Sequence, residues 1–402
     1  MRQHHVTIVS VVTVIAMVLF SFFVKAGTVR QQALRKIKVG FIYDGDVATP
    51  YTANFMRAEE ALHIELGDAV ETESFTNVRA NDAEDFIRQL VNDGCQMVFT
   101  NSFGYSETAK KMASEFPNVT FCQATGVNAN EDPVLPNYHT FMGEIYEGRY
   151  IAGIVAGMKL QDLIHDGSIK ENEAVVGYVG AYPYAEVISG YTAFFLGVRS
   201  IVPTATMKVV YTYTWNDYHL EREYAKKLID EGCVMISQHS DTIGPAVACE
   251  EAKTNGKTVY HVGYNQSMIS VAPTTSLVSS RINWNPYIVG AVEALMAGEQ
   301  IEESVPGHVH GNDIGAGFEK DWVQIMELND AIASPHAESS IEKLIEDFKS
   351  KNPPQVFKGN YIGVNPEDPS DTIDLSQGYT ENETTSAPQF YYVLQDVIEI
   401  EE

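Results

Sequence analysis

Basic residues are scarce in this chain of 402 residues. Lysine and arginine total 27 against 54 aspartates and glutamates, which gives a formal net charge of −27 at pH 7. A nucleic-acid partner would require many Lys and Arg side chains to neutralise its phosphates. The composition therefore argues against nucleic acid as a partner, and the acidic excess mainly favours solubility.

Cysteines are also few. The four, at positions 95, 122, 233 and 249, form no C-x-x-C pair and show no spacing typical of a disulfide-rich protein. We interpret them as small hydrophobic core residues. They give no firm indication of the redox compartment.

Enzymatic and cofactor-binding signatures are missing as well. The chain has no G-x-S-x-G nucleophile elbow, no G-x-x-x-x-G-K-[ST] phosphate loop and no G-x-G-x-x-G after its first predicted strand. His308 and His310 lie on one face of a predicted strand, a geometry that could begin a metal site, but no carboxylate or cysteine partner is evident nearby. We therefore expect no catalytic residues, no cofactor and no metal site.

Only one long apolar run occurs, near the N-terminus. From Val6 to Val24 there are nineteen uncharged, mostly apolar residues. Such a segment either directs export and is removed or stays as a membrane anchor. Residues 1–27 are thus a signal peptide or an N-terminal anchor. Because no second run of that length follows, we expect the body of the protein to work outside the cytoplasm, at the cell surface or in a periplasm.

The chain contains an internal repeat with a separation of about 138 residues. Leu90, Gly94, Cys95 and Met97 in the first copy match Leu228, Gly232, Cys233 and Met235 in the second. Each copy is typical of an amphipathic helix, a glycine turn, a short buried strand and a polar loop, which is the order of a βαβ unit. The repeat predicts an α/β protein of two similar Rossmann-like lobes, with parallel sheets and a ligand cleft between them.

The domain boundaries follow from the alternation of helices and strands. We assign residues 37–165 and 285–310 to the first lobe, and residues 173–283 and 311–350 to the second. Several chain crossings between the lobes would then form a hinge. Residues 351–402, rich in Asp, Pro, Ser and Gly, are predicted to be an extended C-terminal tail.

Aromatic and short polar residues follow the predicted strands in both lobes. The carboxyl ends of parallel strands meet at one edge, so these loops should face a common crevice. Aromatic rings, carboxylates and amides together suit a flat heterocycle joined to a polyol. The predicted ligand-binding residues are Asp44, Tyr51, Asn54, Ser102, Phe103, Tyr184, Glu186, Trp215, Asp217, His239, Asp241 and Asn265.

Four motifs make the chain resemble a known family. NSFGY at 101–105, YEGRYIAG at 146–153, GYVGAYPYAEV at 177–187 and ISQHSD at 236–241 are similar to motifs of the basic membrane protein (BMP) family, the substrate-binding proteins of ABC transporters. The resemblance runs from about residue 37 to 330. It implies a type I periplasmic-binding fold that closes on a ligand and, for characterised members, purine nucleosides or related heterocycles.

The resemblance also implies roles for individual residues. The family's acid after the first strand matches Asp44, its Asn in the next loop matches Asn54, and the aromatic before that Asn could be Tyr51 at an unusual spacing. Its second-lobe aromatic and acid resemble Trp215 and Asp217. The chain departs from the family in having Gln123-Ala124-Thr125 in place of an acid, Tyr264-Asn265 in place of a ribose-binding Asp, Ser280 or Arg281 near the usual Lys, and no lipid-bearing Cys.

The expected function is an extracytoplasmic solute-binding protein of an ABC importer, which captures a nucleoside or similar heterocycle and passes it to the permease subunits. We expect a monomer that touches a membrane only if the N-terminal segment is retained. Two alternatives stay open at the level of sequence. The same clamp could be a membrane-tethered ligand sensor, or the protein could be an enzyme that turns the bound compound over.

Overall fold

The computed structural model describes residues 36–401 and has a two-lobed α/β architecture. Each lobe is built on a seven-stranded, mostly parallel sheet with helices packed on it, and a three-stranded sheet lies near the C-terminus. The predicted signal peptide or anchor at 1–27 lies outside the described residues. Within 36–401, no helix is both long enough and apolar enough to cross a membrane.

The first lobe contains the sheet of order β11-β12-β5-β4-β3-β1-β2, in which only the β11–β12 pair is antiparallel. Its strands are β1 (Ile37–Ile42), β2 (Val70–Phe75), β3 (Met97–Thr100), β4 (Thr120–Ala124), β5 (Tyr138–Gly143), β11 (His308–His310) and β12 (Asp313–Ala316). Its helices are α1 (Pro50–Leu66), α2 (Ala83–Asn92), α3 (Ser106–Glu115), α8 (Asn285–Ala297) and the single turn α9 (Ile301–Ser304).

The second lobe contains the sheet of order β13-β10-β9-β8-β6-β7-β17, in which β13 runs antiparallel to β10. Its strands are β6 (Val175–Gly180), β7 (Thr206–Tyr211), β8 (Met235–His239), β9 (Tyr260–Tyr264), β10 (Ser276–Ile282), β13 (Val323–Ile325) and β17 (Ile398–Glu401). Its helices are α4 (Tyr146–His165), α5 (Ala185–Ile201), α6 (Tyr218–Asp230), α7 (Gly244–Thr254) and α10 (Ala337–Phe348).

The sequence repeat has a structural cause in both lobes. Gly94 and Gly232 end their helices with φ of 93° and 97°, a left-handed conformation that favours glycine. The next residue, Cys95 or Cys233, then donates its backbone N–H to the carbonyl of Leu90 or Leu228 at 3.0 Å in each case. The same turn therefore leads from helix to central strand twice. The four cysteines are free and buried, as we interpreted them.

The crossings between the lobes differ from the predicted domain boundaries at two points. Helix α4 packs along α5 of the second lobe, although we assigned residues up to 165 to the first. Strand β12 pairs in parallel with β5 of the first lobe, although we assigned residues from 311 to the second. The chain therefore crosses after Gly143, after Ile282 and after Ala316. Apolarity alone does not show which lobe a buried helix covers.

Close contact between α4 and α5 requires glycine on both helices. A Cβ added to Gly153 would lie 1.9 Å from the carbonyl oxygen of Phe194, and one added to Gly197 would lie 2.3 Å from that of Tyr150. Real Cβ atoms do not approach so closely, so the two helices pack with their backbones in direct contact. This packing fixes α4 to the second lobe immediately after the first crossing.

The C-terminal tail is more ordered than the sequence indicates. Strands β14 (Ile362–Val364), β15 (Thr372–Asp374) and β16 (Val393–Leu394) form the small antiparallel sheet. The last strand, β17, then joins the second-lobe sheet as a parallel partner of β7. Single turns of 3₁₀-helix complete the described chain at Gly67–Ala69, Ala80–Asp82, Phe103–Tyr105, Glu171–Glu173, Phe318–Lys320 and Leu375–Gln377.

Candidate functional site

The first-lobe side of the cleft is organised around Asp44, directly after β1. Its Oδ1 accepts hydrogen bonds from Asn101 Nδ2 at 3.0 Å and from Thr52 Oγ1 at 3.2 Å. In return, the Asp44 backbone N–H donates to Asn101 Oδ1 at 3.1 Å. Tyr51 donates its hydroxyl to the Asn101 carbonyl. The loops after β1 and β3 are therefore tied together, which holds one carboxylate and one phenol ring at the cleft.

The second-lobe side presents a cluster of aromatic rings. Tyr182 and Tyr184 stack with their ring centroids 5.0 Å apart and an interplanar angle of 8°, and Trp215 lies 5.5 Å from Tyr182. The Asp241 backbone N–H donates to the Trp215 carbonyl at 2.8 Å. The loops after β6, β7 and β8 thus support each other and place an indole beside a carboxylate.

A buried carboxylate, Glu221 on α6, shapes the loop after β8. Its Oε2 accepts hydrogen bonds from Ser240 Oγ at 2.8 Å, Thr242 Oγ1 at 2.7 Å and the Thr242 backbone N–H at 3.1 Å. Burial raises the pKa of Glu221 to about 7, although these hydrogen bonds act in the opposite direction. Glu221 therefore acts behind the cleft and positions the loop that carries Asp241.

The two lobes are in contact across the cleft. Asn216 Nδ2 of the second lobe donates to Thr49 Oγ1 of the first at 2.8 Å. The rings of Phe103 and Tyr184, one from each lobe, have centroids 5.9 Å apart. These contacts show a closed arrangement, in which side chains of both lobes surround the same space.

A cavity between the lobes encloses about 320 Å³ of space, including its opening. It is lined by Asp44, Tyr51, Ser102, Phe103, Thr125, Glu186, Trp215, His239, Asp241 and Tyr264. Eight of these ten are residues that the sequence predicts as ligand-binding.

The other four predicted residues do not line this cavity. Tyr184 lines a neighbouring chamber. Asn54 donates to the Ile282 carbonyl at 2.7 Å, which ties α1 to the second crossing. Asp217 caps α6 by accepting the Leu220 backbone N–H. Asn265 is buried in the left-handed region with φ of 66°, and its backbone N–H donates to Ser280. Strand-end position alone does not distinguish such structural roles.

Two lining residues, Thr125 and Tyr264, are absent from the predicted site residues, and Arg149 behind them is absent too. Arg149 is fully buried, and its guanidinium carbon lies 3.6 Å from the centroid of the Tyr264 ring. Within residues 36–401, its three guanidinium nitrogens have no hydrogen-bond partner. The ring of His239 also contacts the Tyr264 ring, edge to face, with the centroids 4.8 Å apart. The sequence signal that could have identified Arg149 is the presence of an arginine within a largely apolar helix.

The electrostatics of the cavity favour uncharged forms of its titratable groups. Burial raises the pKa of Asp44, against the effect of its hydrogen bonds. The pKa of Asp241 is raised well above 3.8 by burial and then by the charges of Asp44, Glu221 and Glu186. Burial also lowers the pKa of His239, although the contact of its Nε2 with Glu186 Oε1 at 3.4 Å acts in the opposite direction.

The lining of the cavity is chemically suited to a flat polar compound rather than to an anion. Aromatic faces come from Tyr51, Phe103, Trp215 and Tyr264, and among the described residues that line it none is a lysine or an arginine. The carboxyl groups can accept hydrogen bonds from N–H and O–H donors of a ligand, whereas the lining offers no cationic side chain to balance the charge of a phosphate. The described part of the chain also has no group of three or more His, Cys, Asp or Glu placed to hold a metal ion.

Two hinged α/β lobes closed over a cavity of this kind define a solute-binding protein. The chain belongs to the Bmp family, described as PnrA-like ABC transporter substrate-binding proteins, whose model matches residues 36–352. This confirms the family predicted from the sequence motifs.

Individual relatives are consistent with this assignment. The chain is 34% identical over 268 residues to a purine-binding protein of Brucella abortus, covering 66% of this chain and 71% of the relative. It is 32% identical over 255 residues to a putative ABC transporter glucose-binding protein of Haloferax volcanii, covering 63% of this chain and 59% of that relative.

Solved structures support the fold. An ABC transporter solute-binding protein of Aeropyrum pernix has a TM-score of 0.62 at 14% identity, and the match covers 78% of this chain and 87% of that protein. A solute-binding protein from Conexibacter woesei has a TM-score of 0.57 at 19% identity, and the match covers 78% of this chain and 96% of that protein. The predicted two-lobed α/β class is thereby confirmed.

Proposed function

We propose that this substrate-binding protein captures an uncharged, purine-like ring compound in the interlobe cavity and delivers it to an ABC permease. The observation that carries the proposal is the composition of the cavity. Four aromatic rings and three carboxyl groups from both lobes converge on a space of about 320 Å³. Stacking on rings and hydrogen bonds to carboxylates are the interactions that a flat nitrogen heterocycle makes.

The choice of a heterocycle over a simple sugar depends on the aromatic content and on the relatives. One relative is named for purine binding and another for glucose binding, so family membership alone leaves both classes. In this chain Trp215 comes from the second lobe and Tyr51 and Phe103 from the first, so rings reach the cavity from both sides. A planar ligand gains contact area from such an arrangement on both faces.

Closure explains how binding reaches the permease. A ligand that contacts both lobes binds the closed form better than the open form and shifts the population towards closure. The contacts between Thr49 and Asn216 and between Phe103 and Tyr184 would form only when the lobes are closed. We propose that the permease subunits distinguish the closed, loaded form. Substrate-binding proteins of ABC importers work outside the cytoplasm, and residues 1–27 would supply export or anchoring.

A thermal-shift screen tests the ligand class directly. The purified full-length chain would be heated with adenine, hypoxanthine, adenosine, glucose and adenosine 5′-monophosphate, since a ligand bound only by the folded state raises its stability. We expect a concentration-dependent rise in melting temperature with at least one nucleobase or nucleoside and none with the monophosphate. A rise with glucose alone would contradict the proposal.

A further inference from the structure

A second, larger chamber lies next to the cavity. It encloses about 1,220 Å³ including its opening, and it shares Phe103, Thr125 and Glu186 with the inner cavity. The two spaces are therefore adjacent, with these three side chains between them. A compound in the inner cavity would reach the outer chamber by passing these side chains.

The outer chamber has a wall that the family model does not include. The family match ends at residue 352, whereas the chamber is lined by residues beyond it: Asn365, Pro366, Glu367, Ala387, Pro388 and Tyr391. The remaining walls come from Val127 of the first lobe and from residues 183–188 of the second. The C-terminal tail thus completes an enclosure that the two lobes alone leave open.

The tail is anchored to both lobes next to this wall. Ser386 donates its backbone N–H and its hydroxyl to the Asp313 carboxylate on β12 of the first lobe, at 2.5 and 2.6 Å. Glu381 Oε2 accepts a hydrogen bond from Ser189 Oγ on α5 of the second lobe at 2.6 Å. All four side chains are buried. The wall is therefore a fixed part of the closed protein.

The lining of the chamber selects against charge. Its side chains are largely apolar, with Phe103, Tyr184 and Tyr391 as rings and Val127, Ile188 and prolines between them. Its only ionisable acids are glutamates, and among the described residues that line it there is no lysine, arginine or histidine. A phosphate would meet carboxylates without a counter-charge, whereas an apolar group would be removed from water.

We propose that this chamber is a second ligand subsite, which takes an uncharged, largely apolar group carried by the ring compound bound in the inner cavity. The inference rests on the proposed function, because the ring anchors the ligand. It identifies the solute as a two-part molecule, a polar heterocycle with a neutral apolar substituent. The subsite is made by the tail of this chain rather than by the two lobes.

Calorimetric titration of the full-length chain with adenine and with N6-benzyladenine tests this subsite. The benzyl group should raise affinity at least about tenfold, the effect expected from burying a side chain of phenylalanine size. Val127→Trp would partly fill the chamber and should remove most of this gain while leaving adenine affinity within about twofold. The matched control is Val134→Trp, since Val134 is 52% exposed and Val127 is 50% exposed, and Val134 does not line the chamber.

The outcomes separate the subsite from the proposed function. If adenine binds but N6-benzyladenine binds no more tightly, or if Val127→Trp weakens both compounds equally, the second subsite is wrong and the ring site stands. If adenosine 5′-monophosphate binds as tightly as N6-benzyladenine, the subsite's preference for neutral groups is wrong. If none of the ring compounds in either experiment binds, both the proposed function and the subsite are contradicted.

Discussion

Single side chains determine what the cavity can hold, and Trp215 is the clearest case. It lines the cavity, packs on Tyr182 and accepts a backbone hydrogen bond from Asp241 through its carbonyl. Because the hydrogen bond from Asp241 is made to the backbone carbonyl of Trp215, it does not depend on the side chain at this position. A substitution of Trp215 therefore tests the indole ring itself. A residue with a stacking role should affect affinity more than stability.

Trp215→Ala should weaken ligand binding by more than about 1 kcal/mol, which is roughly fivefold, because a stacking contact of that size is lost. Isothermal titration calorimetry with the best ligand of the screen measures the change. Tyr218→Ala is the control, because Tyr218 is a partly exposed aromatic three residues further along the chain that does not line the cavity. Unchanged affinity in Trp215→Ala would remove this ring from the site.

Glu221 gives the protein a predictable pH dependence. Its pKa in the folded state is raised from 4.5 to about 7 by burial. Between pH 4.5 and 7 the folded state therefore keeps the Glu221 proton, whereas the unfolded state has released it. The contribution of this carboxyl group to the free energy of unfolding is full below pH 4.5 and is lost as the pH rises to 7. At about 1.4 kcal/mol for each pH unit, the loss is about 3 kcal/mol.

Glu221→Gln should reduce this loss, because glutamine does not ionise. The free energies of unfolding of the wild type and the variant are measured in urea at pH 5 and pH 8. From pH 5 to pH 8, the free energy of unfolding of the variant should increase relative to that of the wild type by up to about 3 kcal/mol. Glu223→Gln, an exposed change on the same helix, should show no such effect. Parallel pH profiles in all three proteins would show that Glu221 is ionised in the fold.

At the residue scale, many of the residues that line the cavity were predictable from the sequence. The residues that pack behind this lining were not. Asp44, Trp215 and Asp241 were predicted because each follows a strand whose end faces the cleft. Arg149 was missed because its role depends on stacking against Tyr264, which lies more than a hundred residues further along the chain. Asn54 was predicted as a ligand residue from its position after the first strand and from the family resemblance. Its contact with the Ile282 carbonyl could not be predicted, because the two residues are distant in sequence.

At the scale of helices and strands, the contact between α4 and α5 keeps the second lobe rigid next to a crossing. The contact depends on Gly153, where any Cβ would meet the carbonyl of Phe194. Gly153→Ala should lower the free energy of unfolding by about 2 kcal/mol or more, because the helices must move apart to accept a methyl group. Chemical denaturation followed by circular dichroism measures the change.

The comparison for that variant is Gln161→Ala, on an exposed position of the same helix. It changes a surface side chain without altering the contact between the helices, so its effect should stay within about 0.5 kcal/mol. Equal, small effects in the two variants would mean that α4 and α5 are further apart than described.

The sequence predicted most helices and strands because their periodicity and glycine turns are local. Strand β17 was not predicted, since Ile398–Glu401 becomes a strand only by pairing with β7 almost two hundred residues earlier in the chain. The alternation of Ile and Glu in this segment is typical of an edge strand but does not name its partner. For the same reason the sequence left α4 and β12 in the wrong lobes.

For the whole molecule, ligand binding should bring the two lobes together. Val47 and Tyr213 are 75% and 66% exposed and lie on loops of opposite lobes near the contact between Thr49 and Asn216. Spin labels on Val47→Cys and Tyr213→Cys should show a shorter and narrower distance distribution when ligand is added, measured by double electron–electron resonance. The four native cysteines are buried, which favours labelling at the introduced sites.

Labels on Val47→Cys and Ile64→Cys are the control, since both positions are exposed and belong to the first lobe. Their distance should not change with ligand. If the pair across the lobes also keeps one distribution with and without ligand, closure is not coupled to binding and the transport role proposed here loses its signal to the permease.

The duplicated architecture makes one demand on the bound complex, that the ligand contact both lobes at once. The most direct test is a crystal structure of the chain with the compound that gives the largest thermal shift. We expect electron density for a planar ring between the lobes, in contact with Trp215 and Asp241 on one side and with Asp44 or Tyr51 on the other. Density for the compound on the outer surface of a single lobe, with the interlobe cavity holding only solvent, would contradict it.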